Sequence, residues 1–327
     1  MVMKKMILPT ALLMLFPAGL AIAQALQPDA INTASIAPTS LAPKAGASDQ
    51  PDPAIVRLQV LLDRAGASPG VIDGFDGENV RKAIAAFEAM QGLPTDGKLD
   101  PDVIRRLPDE ALAVQPYLVS EADTKGLVAT IPEDYSEQAR MDQLGFTSVA
   151  EKLAERFHMD IDLLKALNAA STFSVGDTVS VVIPGAPRQG TVKRIEAHRR
   201  SGQLMAFAGD GNLIAAYPAT IGSRETPSPS GTHKVKGVAR MPPYVYNPKI
   251  NFRQGDNRKT LTLPGGPNGP VGSVWIDLSK PTYGIHGTPE PSMIDKSGSH
   301  GCVRLTNWDA EELAGMVKPG VIVKFVD

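Results

Sequence analysis

The chain of 327 residues has one cysteine, Cys302, so no intramolecular disulfide can staple it. In an oxidising compartment that sulfur would stay unpaired, which makes a reactive role worth following. An excess of charge of one sign is missing as well: 33 Lys and Arg against 35 Asp and Glu leave a formal net charge of −2, without the basic excess that would make nucleic acid a partner. A structural zinc site wants four Cys or His ligands, and one Cys with two neighbouring His does not supply them. No metal and no other cofactor is expected.

The long apolar run, Met6 to Ile22, follows Lys4 and Lys5 and is broken by Pro9, Pro17 and Gly19. It is shorter than the roughly 20 apolar residues of a membrane-spanning helix. Ala21-Ile22-Ala23 offers the small residues a signal peptidase needs, with Ala23-Gln24-Ala25 as the alternative. Residues 1–23 are therefore expected to be a cleaved signal peptide without a cysteine for lipidation. That implies an exported protein, in the periplasm or cell wall, with no stable membrane anchor. Residues 24–51 are rich in Ala, Pro, Ser and Thr, and are expected to be a flexible linker.

Residues 52–107 read as three short helices around a small core. Ile55, Leu58, Leu61 and Leu62 share one helical face, Val80, Ile84 and Phe87 a second, and Val103, Ile104 and Leu107 a third. Asp73-Gly-Phe-Asp-Gly77 and Gly92-Leu-Pro-Thr-Asp-Gly97 are the turns between them. With Leu58-Gln-Val-Leu-Leu62 and Val80-Arg-Lys-Ala-Ile84, these residues resemble the peptidoglycan-binding domain of cell-wall enzymes, and the resemblance implies binding to that polymer.

After a linker over 108–143, residues 144–184 form a second module. Val149, Leu153 and Phe157 make one helical stripe, Ile161, Leu164 and Leu167 another, and Thr178 to Ile183 a β-branched strand before Pro184. Phe157-His-Met-Asp-Ile161, Leu164-Lys-Ala-Leu-Asn168 and Val175-Gly-Asp-Thr-Val179 resemble a LysM glycan-binding module. Such a module opens with a strand, whereas the stretch corresponding to its opening here is Met141 to Ser148, which lacks the usual Gly-Asp-Thr-Leu turn.

The third module, residues 191–327, is mainly β, a sandwich or partly closed barrel. Strands are expected near 193–197, 203–207, 213–217 and 321–325, with a helix over Trp308–Met316 capped by Thr306 or Asn307. Residues 240–272, dense in Gly, Pro and Asn, are either a lid over the site or a solvent loop. The whole chain is thus multidomain: all-α, then small α+β, then mainly β.

A thiol attacks a carbonyl as thiolate, so Cys302 needs a base or a positive field nearby. His158 belongs to another module, and His198 and His233 lie among polar turn residues. His286, sixteen positions before Cys302, and His300, two before it, remain. Spacing alone does not choose between them. If Cys302 to Leu305 is extended, Cys302 and Arg304 share one face and Val303 and Leu305 the buried one. Arg304 would then flank the thiol, lowering its pKa and holding a substrate carboxylate, or serve in a structural ion pair.

Tyr283-Gly-Ile-His-Gly287 together with Ser299-His-Gly-Cys-Val-Arg304 resembles the signature of the L,D-transpeptidase catalytic domain, with further likeness at Ser230-Gly-Thr232 and Pro264 to Pro270. The resemblance implies that Cys302 is the nucleophile, that His286 is the general base and that the Gly287 carbonyl orients the ring. A backbone carbonyl that fixes the tautomer makes a third, carboxylate member dispensable. Gly301 lets the chain bend so that amides near Cys302 face a developing oxyanion, His300 supports that loop, and Ser299 bonds to His300 or to substrate.

The implied reaction begins with a cysteinyl thioester formed on a peptidoglycan tetrapeptide stem, with release of D-Ala. Transfer to an amine of another stem then gives a 3-3 cross-link. Carbapenem-class β-lactams are the implied covalent inhibitors. Hydrolysis by water, as an L,D-carboxypeptidase, attachment of a protein lysine, and a non-catalytic wall-binding scaffold are the alternatives.

Overall fold

The computed structural model describes residues 26–41, 50–109, 111–223, 225–250 and 252–327. The expected signal peptide and the rest of residues 24–51 lie outside these. Among the described residues no helix is long and apolar enough to cross a membrane.

After a short helix α1 (Pro28–Asn32), the first module forms α2 (Pro53–Arg64), α3 (Glu78–Gln91) and α4 (Pro101–Arg106). Asp52 and Asp100 cap α2 and α4 through their side chains, each followed by a proline that needs no N–H partner. Leu58, Leu61, Leu62, Ile84, Phe87 and Val103 fill the core, as the periodicity predicts.

The second module is a strand, two helices and a strand. β1 (Val114–Leu118) pairs antiparallel with β2 (Thr178–Val182), and α6 (Val149–Arg156) and α7 (Ile161–Leu167) pack on them, with the one-turn α5 (Tyr135–Gln138) in the long β1–α6 connection. Two expectations need correcting here. The opening strand lies in the stretch read as a linker, not at 141–148. Pro116 sits in its centre, and β1 tolerates it because one of its edges has no partner strand among the described residues.

The second correction concerns residues 24–51, whose described part is not a free tether. Ile31 is fully buried among Val56, Val60 and Val114. The Asn32 amide bonds both N–H and C=O groups at the start of β1, and Arg57 Nη1 donates to the Asn32 and Ala34 carbonyls at 2.6 and 2.9 Å. A segment too polar to form its own core is ordered by the cores of two neighbours.

The third module holds β3 (Arg194–His198), β4 (Gln203–Phe207), β5 (Leu213–Pro218), β6 (Thr220–Ile221), β7 (Gly231–Arg240), β8 (Tyr244–Tyr246), β9 (Leu261–Leu263), β10 (Val274–Leu278), β11 (Gly284–His286), β12 (Val303–Arg304), α8 (Asn307–Met316) and β13 (Ile322–Val326). The sheet order is β5-β4-β3-β13-β7-β10-β11-β12-β6, with β3–β13 and β11–β12 parallel. Its two end strands, β5 and β6, are separated by Ala219 alone, so the sheet curls back on itself. Ile195, Leu204 and Val323 of one half and Ile276, Ile285 and Val303 of the other share one core, under Ala310 and Leu313 of α8. This is the barrel-like mainly-β module expected. The 240–272 stretch is less irregular than its composition suggests: β8 and β9 pair as a hairpin, and Tyr246 and Leu263 bury against Leu144 of the second module.

Candidate active site

Three adjacent strands carry the candidate residues. Trp275 of β10 is the antiparallel partner of His286, and His286 is the parallel partner of Arg304. Ile285, Val303 and Leu305 point into the core, so alternation puts His286 and Arg304 on the opposite face, with Cys302 just beyond the strand on that face. The strands are about 4.8 Å apart and the two-residue offset is about 6.6 Å, which sets the α-carbons of Cys302 and His286 about 8 Å apart. Side chains leaning together close such a span.

The imidazole is held on two sides. Trp275 stacks on it with ring centroids 5.6 Å apart and 21° between planes, and Nδ1 lies 2.7 Å from the Gly287 carbonyl. A carbonyl only accepts, so Nδ1 carries the proton and Nε2 keeps a lone pair. Burial drives the imidazole pKa down to about 4; the Gly287 bond opposes this and the Arg304 charge adds to it. Two glycines make the arrangement possible. A Cβ at Gly284 would lie 2.5 Å from the Trp275 ring, and one at Gly287 2.1 Å from Asn307 Oδ1.

The Cys302 thiol is not hydrogen-bonded to His286; Sγ lies 3.8 Å from the Thr282 carbonyl. Thr282 holds φ +70, a strained setting for a β-branched residue. Burial raises the thiol pKa above its usual value, against the opposing effects of the Gly284 backbone and Arg304. Arg304 thus lowers the thiol pKa as expected, but desolvation outweighs it. Arg304, itself partly buried, makes no ion pair and no side-chain hydrogen bond among the described residues, so the structural salt bridge weighed for it is absent.

Ser299 is also corrected. Its buried hydroxyl donates to the Cys302 carbonyl at 2.6 Å and accepts the Gly222 and Gly301 amides at 2.8 and 3.3 Å, so it bonds neither His300 nor an open cleft. Gly301 supplies the bend, at φ +103 and with the Tyr283 ring where a Cβ would be, but its amide is spent on Ser299. His300 is exposed and stacks on Phe252 at 4.4 Å. Phe252 belongs to a ring cluster with Tyr135, Tyr244 and Tyr246. Burial pushes the Tyr135 phenol up to about 12, and Arg304 pulls the other way. Sequence reasoning missed Trp275, Tyr135 and the use of Asn307. The last could have been found, because Thr306 Oγ1 caps α8 and leaves the adjacent amide free for other contacts. Among the described residues no group of three or more His, Cys, Asp or Glu is placed to hold a metal.

Comparison with known proteins matches residues 192–324 to the "L,D-transpeptidase catalytic domain" and residues 51–107 to a "Putative peptidoglycan binding domain". A protein of Bacillus licheniformis named "Putative L,D-transpeptidase YkuD" is 32% identical over 161 residues, 49% of this chain and 82% of that protein. The chain belongs to the L,D-transpeptidase family. "Probable L,D-transpeptidase YbiS" of Escherichia coli is 28% identical over 211 residues, 61% of this chain and 63% of that protein. A solved structure, L,D-transpeptidase 3 from Mycobacterium tuberculosis in complex with a faropenem-derived adduct, is 19% identical, with TM-score 0.34, over 47% of this chain and 66% of that one. Membership makes this L,D-transpeptidase an acyltransferase of a family whose catalytic domain characteristically uses a cysteine.

Proposed function

We propose that this L,D-transpeptidase acts on peptidoglycan tetrapeptide stems, with Cys302 as nucleophile, His286 as general base and the Gly287 carbonyl as the group that fixes the base. The observation carrying the reading is the His286–Gly287 bond of 2.7 Å on a strand beside Cys302, which leaves Nε2 as the free base. Rotation about the Cys302 side-chain bond takes Sγ from Thr282 towards Nε2. Nε2 accepts the thiol proton as sulfur attacks the carbonyl before the terminal D-Ala. The C–N bond breaks, the proton passes to the leaving amine, and a thioester remains. An amine of a second stem then attacks the thioester, gives its proton to His286 and restores the thiol, leaving a 3-3 cross-link.

Arg304, with no ion-pair partner among the described residues, is suited to a stem carboxylate through paired hydrogen bonds. The hairpin β8–β9 serves as the lid. The first module, and the second read as LysM-like, would keep the enzyme concentrated on an insoluble polymer after export to the periplasm or cell wall. Carbapenems would acylate the same sulfur.

The test incubates the mature protein and its Cys302→Ala variant with tetrapeptide muropeptides and reads products by mass. Cross-linked dimers from the wild type alone are expected. Trimmed tripeptides alone would replace transfer by hydrolysis, and identical inert mixtures would sink the enzymatic reading.

A further inference from the structure

Asn307, the first residue of α8, is almost wholly buried and touches three parts of the molecule. Its Oδ1 accepts the Ser273 N–H at 3.0 Å, and its Nδ2 donates to the Pro267 carbonyl at 3.2 Å, so it pins the chain where the lid returns to β10. The same Oδ1 lies so close to Gly287 and Gly272 that a Cβ at either would be 2.1 Å from it. Gly287 is the residue whose carbonyl holds His286. Finally, Nδ2 faces both carboxyl oxygens of Glu155, at 3.2 and 3.1 Å. Glu155 is on α6, in the second module.

The side chain thus links that module to the backbone behind the imidazole. Asn307 fills the space beside Gly287, and Glu155 together with the Pro267 carbonyl keeps its amide turned so that Oδ1, not Nδ2, faces Ser273 and the glycines. Were the amide to swing away, the Ser273 amide would lose its acceptor and Gly287 would lose the side chain packed beside its α-carbon, freeing its peptide to turn. The Nδ1 proton would then have no fixed acceptor, and Nε2 would hold its lone pair for only part of the time.

We infer that Asn307 is a positioning residue for His286, acting through Gly287, and that Glu155 of the second module sets the orientation of Asn307. On this inference the second module does more than bring the enzyme to its polymer: it completes the support of the base. The inference rests on the reading of His286 as the base, and the experiment separates the two.

Acylation of the full chain by a carbapenem is followed by intact mass over a range of concentration and pH, which splits the limiting rate from apparent binding. The variants are Asn307→Ala, the near-isosteric Asn307→Asp, Glu155→Gln and the double variant Asn307→Asp/Glu155→Gln. Asn307→Asp takes the donor away from the Pro267 carbonyl and sets a second carboxyl beside Glu155, whose own carboxyl burial raises to about 8, so the like-charge clash is full above that pH; the double variant restores a donor–acceptor pair with the polarity reversed. Asn307→Asp is expected to lower the limiting rate about a hundredfold, as misplacement of a catalytic group by an ångström does, with apparent binding near wild type. The double variant should regain most of that rate. Nitrogen NMR of 15N-histidine protein should show His286 as a single Nδ1–H tautomer in the wild type and a mixture in Asn307→Ala.

A wild-type limiting rate and pH profile in Asn307→Asp, or no regain in the double variant, overturns the inference. So does an unchanged tautomer in Asn307→Ala. His286→Ala is run alongside: if it acylates as fast as wild type, the base reading itself falls; if it is slow while Asn307→Asp is not, only the positioning role falls.

Discussion

Burial sets the resting charge of the two reacting groups. It raises the Cys302 thiol above its usual value and drives His286 down to about 4, so at neutral pH both are uncharged and the proton moves only as sulfur attacks. Alkylation of Cys302 by iodoacetamide, read by mass, should therefore have its midpoint above the ordinary cysteine value of about 8.5. Arg304→Ala should raise it further, because the guanidinium opposes burial. A midpoint near 7 would mean a resting thiolate and would refute the neutral pair. The imidazole has a stability consequence too. Between pH 6.5 and 4 the unfolded chain takes up a proton that folded His286 refuses. Its contribution is fully present above pH 6.5 and falls as pH drops through that window, by about 3 kcal/mol at about 1.4 kcal/mol per unit. Denaturant titrations should show the wild type losing that stability between pH 6.5 and 4, while His286→Gln, which lacks the group, does not lose it. The motif around Cys302 made the candidate residues legible in the sequence, Cys302 and His286 among them. The direction of the thiol shift was not legible, because Arg304 is visible in a sequence and desolvation is not; nor was the use of Ser299, whose hydroxyl is consumed by backbone groups that carry no sequence signal.

At the scale of elements, the site depends on β10, β11 and β12 lying edge to edge. Gly284 is where this is most exposed to change, since the Trp275 indole that stacks on His286 also covers Gly284. Gly284→Ala should force the indole to shift, destabilising the fold by about 1–3 kcal/mol, as overpacking does, and slowing acylation more than the loss of stability accounts for. Trp275→Leu in the same chain should restore stability without restoring the rate. Urea unfolding and acylation kinetics check both, and an unperturbed Gly284→Ala would show that the stack is not needed. Strands such as β3, β4 and β13 were legible because β-branched or apolar residues run between turn formers. β1 was not, since Pro116 speaks against a strand until its free edge is seen. The β8–β9 hairpin was hidden for a related reason: its strands are three residues each, and what orders them is Leu144, far away in the sequence.

The order of modules along the chain was legible from their motifs, but their docking was not, because much of it is backbone pairing. The Ser68 amide donates to the Ala216 carbonyl and the Ala216 amide to the Gly66 carbonyl, so the turn after α2 covers the outer edge of β5. Such an edge left bare invites pairing with other chains. The same module reaches the second through Asp63 and His158, 3.0 Å apart, and through the Ile72–Met159 bridge. It therefore contacts both neighbours and is not free to swing as a separate bead. Lys82 of α3 tests how firmly it is joined. Its ammonium pairs with Asp295, at the start of the loop that leads to Cys302, and its carbonyl accepts from Gln203 of β4. The two charged groups keep only 10% and 20% of their exposure. Removing one leaves the other poorly solvated, a loss larger than that of a surface pair. Lys82→Met should therefore lower stability by about 2 kcal/mol, between the values for exposed and fully buried pairs. Asp295→Asn in the same chain should recover part of it, because the neutral amide no longer lacks a counter-charge. If the first module is docked as described, thermal unfolding of the wild type gives one transition, and Lys82→Met moves or splits it. Two separate transitions in the wild type, neither moved by Lys82→Met, would show that the module unfolds independently and that its contacts with β4, β5 and Asp295 contribute nothing to the stability of the catalytic module.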